Sequence, residues 1–184
     1  IRELHENGVN HRHMAVLYRA HYVTRPVEEA LLKEKIPYHI YSGVPFFGRA
    51  VIKDALSYLR MAVSQDDLSF PRIVNLPKRN IGRRRMAFLE EYAAKNSCTL
   101  YHALKQTLDD DIFRGTKAQQ FVDLIESFST GHEDERISDL FSAILDESGY
   151  ETMLRTEGSQ ERLDNLAELK QSILEYETTC GEEA

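Results

Sequence analysis

The sequence predicts an α/β piece followed by an all-α piece. Three observations carry that expectation. Two short apolar runs flank an amphipathic segment near the start, strand signals stop beyond Asp66-Asp67, and from about residue 70 apolar residues recur at helical spacing almost to the end.

Met14 to Tyr18 (MAVLY) is a continuous apolar run, the pattern of a strand buried on both faces, and Ile36 to Tyr41 (IPYHIY) is a second candidate strand. Between them Thr24 to Lys35 reads as a helix. Thr24 can cap it, Pro26 is tolerated in the first turn, Val27, Ala30 and Leu31 recur at helical spacing, and Glu28 and Glu29 complement the positive end of the dipole. Strand, helix and strand in succession make a βαβ unit of an open parallel sheet. Ligands sit beyond the carboxyl ends of such strands, which singles out Tyr18, Arg19 and His21.

Val51 to Val63 is amphipathic, with Ile52, Ala55, Leu56, Leu59 and Val63 along one side. Helices are then expected over Arg84 to Lys95, Leu100 to Leu108, Phe113 to Ser129, Ile137 to Tyr150 and Gln160 to Glu177, joined by short Gly, Asp, Ser and Thr segments. The expected domain boundary is between residues 69 and 70. No repeat at a fixed period is visible.

Composition narrows the function. The chain has 184 residues, 42% hydrophobic and 29% charged, which is the profile of a soluble globular protein. No apolar run approaches the roughly 18 to 20 residues of a membrane span, and the start lacks the features of a signal peptide. Cys98 and Cys180 are isolated, so neither a disulfide framework nor a zinc site is supported, and a reducing intracellular compartment is expected. The chain opens at Ile1 within a helical pattern, without an initiator Met, so an excised fragment is expected.

The net charge of −7 conceals a division: residues 1–108 carry 17 Lys and Arg against 10 Asp and Glu, and residues 109–184 carry 6 against 20. Such asymmetry points to an anionic partner for one part, and to solvent or a protein partner for the other.

Gly43 to Gly48 has the GxxxxG spacing of a phosphate loop but not its chemistry. Arg49 and Ala50 stand where Lys and Ser or Thr are needed, and the loop is filled by a Pro and two Phe. It reads as a turn that Phe46 and Phe47 anchor to the core. His11 and His13 lie in a polar segment with no further ligand at metal spacing, so they read as solvated, and no metal site is expected. No nucleophile and base pair stands out, so nothing in the residues argues for a self-contained hydrolase or transferase.

Pro77 to Arg85 is the informative stretch. A tight turn containing Ile81 and Gly82, followed by a helix starting near Arg83, joins backbone N–H groups and a positive helix end to Lys78, Arg79, Arg83, Arg84 and Arg85, with Arg72 just upstream. That combination can grip a phosphate backbone, as does the hairpin between two helices that many proteins use on duplex DNA without reading sequence. The competing reading of these residues is a solvated basic face or internal salt bridges.

Taken in order, Ala15-Val16-Leu17-Tyr18-Arg19, Glu28-Glu29-Ala30-Leu31-Leu32, Ile36-Pro37-Tyr38, Phe46-Phe47-Gly48-Arg49 and Ile52 to Arg60 resemble the second RecA-like domain (2A) of the UvrD/PcrA/Rep-type superfamily 1 DNA helicases. Arg72 to Gly82, Ser148-Gly149-Tyr150 and Arg162 to Leu169 are similar to the helical 2B insertion of the same proteins, so the resemblance covers nearly the whole chain. It implies that residues 1–69 are a partial 2A domain with motif IV and residues 70–184 the 2B-type insertion with a helix-hairpin-helix-like turn.

The resemblance also implies roles. Tyr18 matches the tyrosine that stacks on adenine, and Arg19 the arginine that reaches the γ-phosphate of ATP across the cleft from the first motor domain, an arginine finger. ATP and Mg2+ are implied for the intact protein and none for the fragment alone, whose 184 residues lack the Walker motifs and motifs V and VI. The family usually has Asn where this chain has His21. Lys78, Arg79, Asn80, Ile81, Gly82, Arg83 and Arg84 are the implied DNA contacts, with Asn80 in place of the first glycine of the family's Arg-Gly-Ile-Gly loop.

The implied function is a fragment of an ATP-dependent 3′ to 5′ DNA helicase, or of a helicase-nuclease relative, in a bacterial cytosol. Its partners would be a junction of single-stranded and duplex DNA, the remaining helicase domains and accessory proteins, with no membrane. The alternative from a different class is a non-enzymatic helical protein-interaction or regulatory module that binds a protein through its acidic half.

Overall fold

The structure, a computed structural model, describes residues 1–18, 23–40, 45–132 and 135–180. The chain divides into two compact units, Ile1–Arg49 and Ala50–Ala184.

In the first unit, helix α1 (Arg2–Glu6) is followed by a 3-10 turn over His11–His13, helix α2 (Thr24–Lys33) and a second 3-10 turn over Phe46–Gly48. α2 begins where expected, but Thr24 does not cap it. Its hydroxyl is buried and donates instead to the Tyr18 phenol oxygen at 3.1 Å. The most enclosed side chain of α2 is a carboxylate, Glu28, which accepts from Tyr38 Oη at 3.0 Å and from the Phe46 N–H at 3.1 Å; those two bonds offset the cost of its burial.

The expected partial RecA-like parallel βαβ unit requires correction, because no strand forms among the described residues. A strand is completed by the hydrogen-bond ladder of a neighbour, and neither Met14–Tyr18 nor residues 36–40 has one. The apolar run expected to be buried on both faces is open instead, with Val16 48% and Leu17 94% exposed.

The second unit is all helical. Helix α3 (Ala50–Ser64) is its centre and packs against α4 (Phe70–Ile73), α7 (Ala118–Ser129), α8 (Ile137–Glu147) and α10 (Gln160–Cys180). Ile52, Tyr58, Phe70, Phe121, Phe141 and Tyr150 form the fully enclosed centre of the core, where burying each large side chain contributes about 1.5–3 kcal/mol. The expected boundary between residues 69 and 70 falls inside this unit. Ile52 and Ala55 face inward as the periodicity predicts, whereas Val63, at the end of that stripe, is exposed.

α5 (Arg83–Asn96) packs on α6 (Leu100–Gln106), which Thr99 caps by accepting the His102 N–H. Two helices differ from expectation at glycines. The helix expected from Phe113 starts at Ala118, after Gly115 at φ 74, and the helix expected to run to Tyr150 ends at Glu147, because Gly149 at φ 75 breaks it and a separate α9 (Tyr150–Thr156) begins.

Candidate nucleic-acid interface

The basic stretch folds as a turn over residues 76–82 between α4 and α5. Asn75 organises it. Its side-chain oxygen accepts the backbone N–H of Arg79 at 2.8 Å and of Ile81 at 3.1 Å, so one side chain closes the loop from inside. Asn80 sits in the left-handed region at φ 62, a conformation that glycine adopts without strain and that Asn tolerates better than other side chains.

The implied DNA contacts separate into two groups. Arg79 and Ile81 point inward, 6% and 1% exposed. Arg79 Nη1 donates to the Ile73 carbonyl at 3.0 Å, Nη2 donates to the Ser148 carbonyl at 3.1 Å and to Tyr58 Oη at 3.3 Å, and the guanidinium lies 5.1 Å from the centre of the Phe121 ring. Tyr58 in turn donates to the Leu76 carbonyl. Burial pushes the Tyr58 phenol above its ordinary pKa, although the Arg79 charge opposes the shift, so the hydroxyl stays a neutral donor.

Lys78, Asn80, Gly82, Arg83 and Arg84 are exposed. Among the described residues, the side chains of Lys78, Arg83 and Arg84 form no ion pair, and the N–H groups of Gly82, Arg83 and Arg84 at the start of α5 meet no acceptor. Nothing lies within 4 Å of where a Cβ on Gly82 would be, and its φ of −90 is open to any residue. The chain's own packing therefore does not require a glycine there. The other basic residues of the stretch are engaged: Arg85 donates to the carbonyls of Ile112 and Asn80, and Arg72 pairs with the buried Asp54.

Sequence reading missed two contributors. The Lys117 N–H donates to the Arg79 carbonyl at 3.1 Å, which brings the exposed Lys117 and the N-terminus of α7 beside the turn. Asn75 was within the matched segment, but nothing in its spacing marked it as the bracket. Lys117 carried no signal in sequence, since it is far from the basic cluster along the chain.

In the first unit, Tyr18 is half buried and its phenol oxygen accepts from the Thr24 hydroxyl. Arg19 and His21 lie outside the described residues, as do Gly43 and Val44. Phe46 is buried against the Phe47 edge, with ring centres 5.2 Å apart, and its N–H is taken by Glu28, which anchors the 3-10 turn over Phe46–Gly48. His11 stacks on His5 at 3.9 Å, and among the described residues no three His, Cys, Asp or Glu side chains gather as a metal site. Nor is any helix among them long and apolar enough to cross a membrane.

A family model described as the UvrD-like helicase C-terminal domain matches residues 1–183. ATP-dependent DNA helicase PcrA of Staphylococcus aureus (strain Mu50 / ATCC 700699) is 36% identical over 179 residues, covering 93% of this chain and 24% of that protein. The protein of the same name from Staphylococcus epidermidis (strain ATCC 12228 / FDA PCI 1200) is 37% identical over 179 residues, with the same coverage of 93% and 24%. The chain thus spans about a quarter of the length of the curated relatives it matches. With nearly every residue matched, including the turn and the segments around it, this chain belongs to the UvrD-like helicase C-terminal domain family.

Proposed function

We propose that this chain is part of an ATP-dependent 3′ to 5′ DNA helicase of a bacterial cytosol. The first unit, Ile1–Arg49, belongs to its second motor domain, and the helical unit from Ala50 carries a 2B-type insertion that grips duplex DNA at a junction with single-stranded DNA. The observation that carries the reading is the sorting of the turn: Arg79 and Ile81 build it from inside, while Lys78, Asn80, Arg83 and Arg84 and the first free amides of α5 face solvent together. Cations and unpaired N–H groups on one surface fit phosphate oxygens and carry no base readout.

The turn between α4 and α5 acts as a helix-hairpin-helix-like grip. Gly82, which the chain's own packing does not require, leaves room for a phosphate to approach the backbone at the positive end of α5. Lys117 adds a cation from a second element. Tyr18 would hold adenine by its ring and Arg19 would place a positive charge at the γ-phosphate. ATP with Mg2+ supplies the free energy of phosphoryl transfer, and the remaining helicase domains and accessory proteins are the other partners.

The test is made in the intact parent protein. Arg19→Ala should abolish DNA-stimulated ATP hydrolysis. Lys78→Ala/Arg83→Ala/Arg84→Ala should keep hydrolysis on single-stranded DNA but lose unwinding of a 3′-tailed duplex. Unwinding undiminished by the triple substitution contradicts the duplex grip.

A further inference from the structure

Resting on that DNA reading, we propose that Arg79 is a positioning residue for the duplex grip: its enclosed guanidinium sets the outward direction of Lys78, Asn80, Arg83 and Arg84 by joining the turn to α3, α7 and the junction between α8 and α9. Arg79 lies in a run of cations, yet it is the one that solvent and phosphate do not reach. No carboxylate pairs with it among the described residues.

Its charge is balanced instead by carbonyls at helix ends. Ser148 is the C-terminal cap of α8, so there Arg79 takes up an oxygen that helix geometry leaves without a donor, at the negative end of the dipole; on the other side it shares the carbonyl of Ile73, the last residue of α4, with the Leu76 N–H. Tyr58 on α3 and the face of Phe121 on α7 complete the enclosure. Only a planar fork reaches acceptors in these separate directions; a lysine ammonium is a point charge that would satisfy fewer of them.

The arrangement makes the turn depend on elements distant in sequence. Ser148, 69 residues beyond Arg79, holds its Nη2. At the same junction a Cβ on Gly149 would lie 3.8 Å from Pro77 Cγ, so the junction is packed directly on the turn. Tyr150 follows, with its hydroxyl donating to Asp54 on α3 at 3.4 Å. An uncompensated buried cation is costly, and what this one provides is a single orientation of the turn. Preorganisation of that kind is read out as affinity.

The experiment measures binding of a fluorescent 3′-tailed duplex by the 184-residue chain across a salt series, for the unsubstituted chain, Arg79→Lys and Tyr58→Phe. Folding is followed in parallel by thermal melting. Arg79→Lys keeps the charge yet is expected to bind on the order of tenfold more weakly, with the slope of log affinity against log salt reduced by about two phosphate contacts. Tyr58→Phe changes no charge and is expected to weaken binding and flatten the slope in the same sense.

Binding by a folded Arg79→Lys chain equal to the unsubstituted chain overturns the inference. So does a Tyr58→Phe chain that melts earlier but binds with unchanged affinity and slope, the result of a merely structural role; it also decides the matter if Arg79→Lys does not fold. Absence of binding by the unsubstituted chain overturns the DNA reading itself, and the inference with it.

Discussion

The guanidinium of Arg79 donates to the carbonyl of Ser148 at 3.1 Å, tying the basic turn to a helix end 69 residues later. Replacing Arg79 by Ala leaves the carbonyl of Ser148 enclosed without a donor and leaves that of Ile73 with the Leu76 N–H alone. Arg79→Ala is expected to lower the stability of the second unit by about 2–4 kcal/mol. Denaturant unfolding checks this, and a change within about 0.5 kcal/mol would contradict the inward role.

Asn80 holds φ at 62. Asn80→Gly removes the residual strain and should leave stability unchanged or slightly raised, while Asn80→Ala should cost about 1 kcal/mol, since an ordinary side chain disfavours the left-handed region. Thermal melting of the two variants measures the difference, and equal melting points would argue against the observed turn.

Lys117 is an exposed cation placed beside the turn by its backbone bond to Arg79. Lys117→Ala should leave folding intact and reduce the salt slope of duplex binding by about one phosphate contact. An unchanged slope would limit the interface to the turn and α5.

Glu151 bonds Lys170 and Arg155, which together hold its carboxyl below the ordinary value of 4.5 against the effect of burial. A folded-state pKa below the unfolded one gives stability that is complete above about 4.5 and is lost as pH falls through the lower, folded value. Glu126 behaves alike, through Lys105 and Tyr101. Melting temperature should fall as pH drops below 4.5. Glu151→Gln should melt lower at pH 7 and show a shallower acid decline; an unaltered acid profile would contradict the assignment.

The longer helices of the second unit were legible in sequence because each carries its own apolar periodicity, and helix hydrogen bonds are internal to the segment; the short α4 and α9 span too few residues for a period to show. The strands were not, because a strand is a property of a pair. MAVLY has the composition of a buried strand, but among the described residues it has no ladder to join. Glycines 115 and 149 moved two helix ends where periodicity alone ran on.

In the candidate site, the charge cluster was visible but its direction was not. Arg79 and Arg83 are the same residue type four positions apart, and one is enclosed while the other is open. What separates them is the enclosure that Ser148, 69 residues away in sequence, completes together with the local carbonyl of Ile73, and only tertiary packing brings Ser148 there. Lys117 was invisible for the same reason.

The most direct test of the duplex grip is the anisotropy of a labelled 3′-tailed duplex titrated with the 184-residue chain over a salt series, beside Lys78→Ala/Arg83→Ala/Arg84→Ala. The account predicts affinity that falls steeply with salt in the unsubstituted chain, and a triple variant that melts normally but loses most of its binding and about three phosphate contacts from the slope. A folded triple variant that binds with the same affinity and the same slope would contradict it.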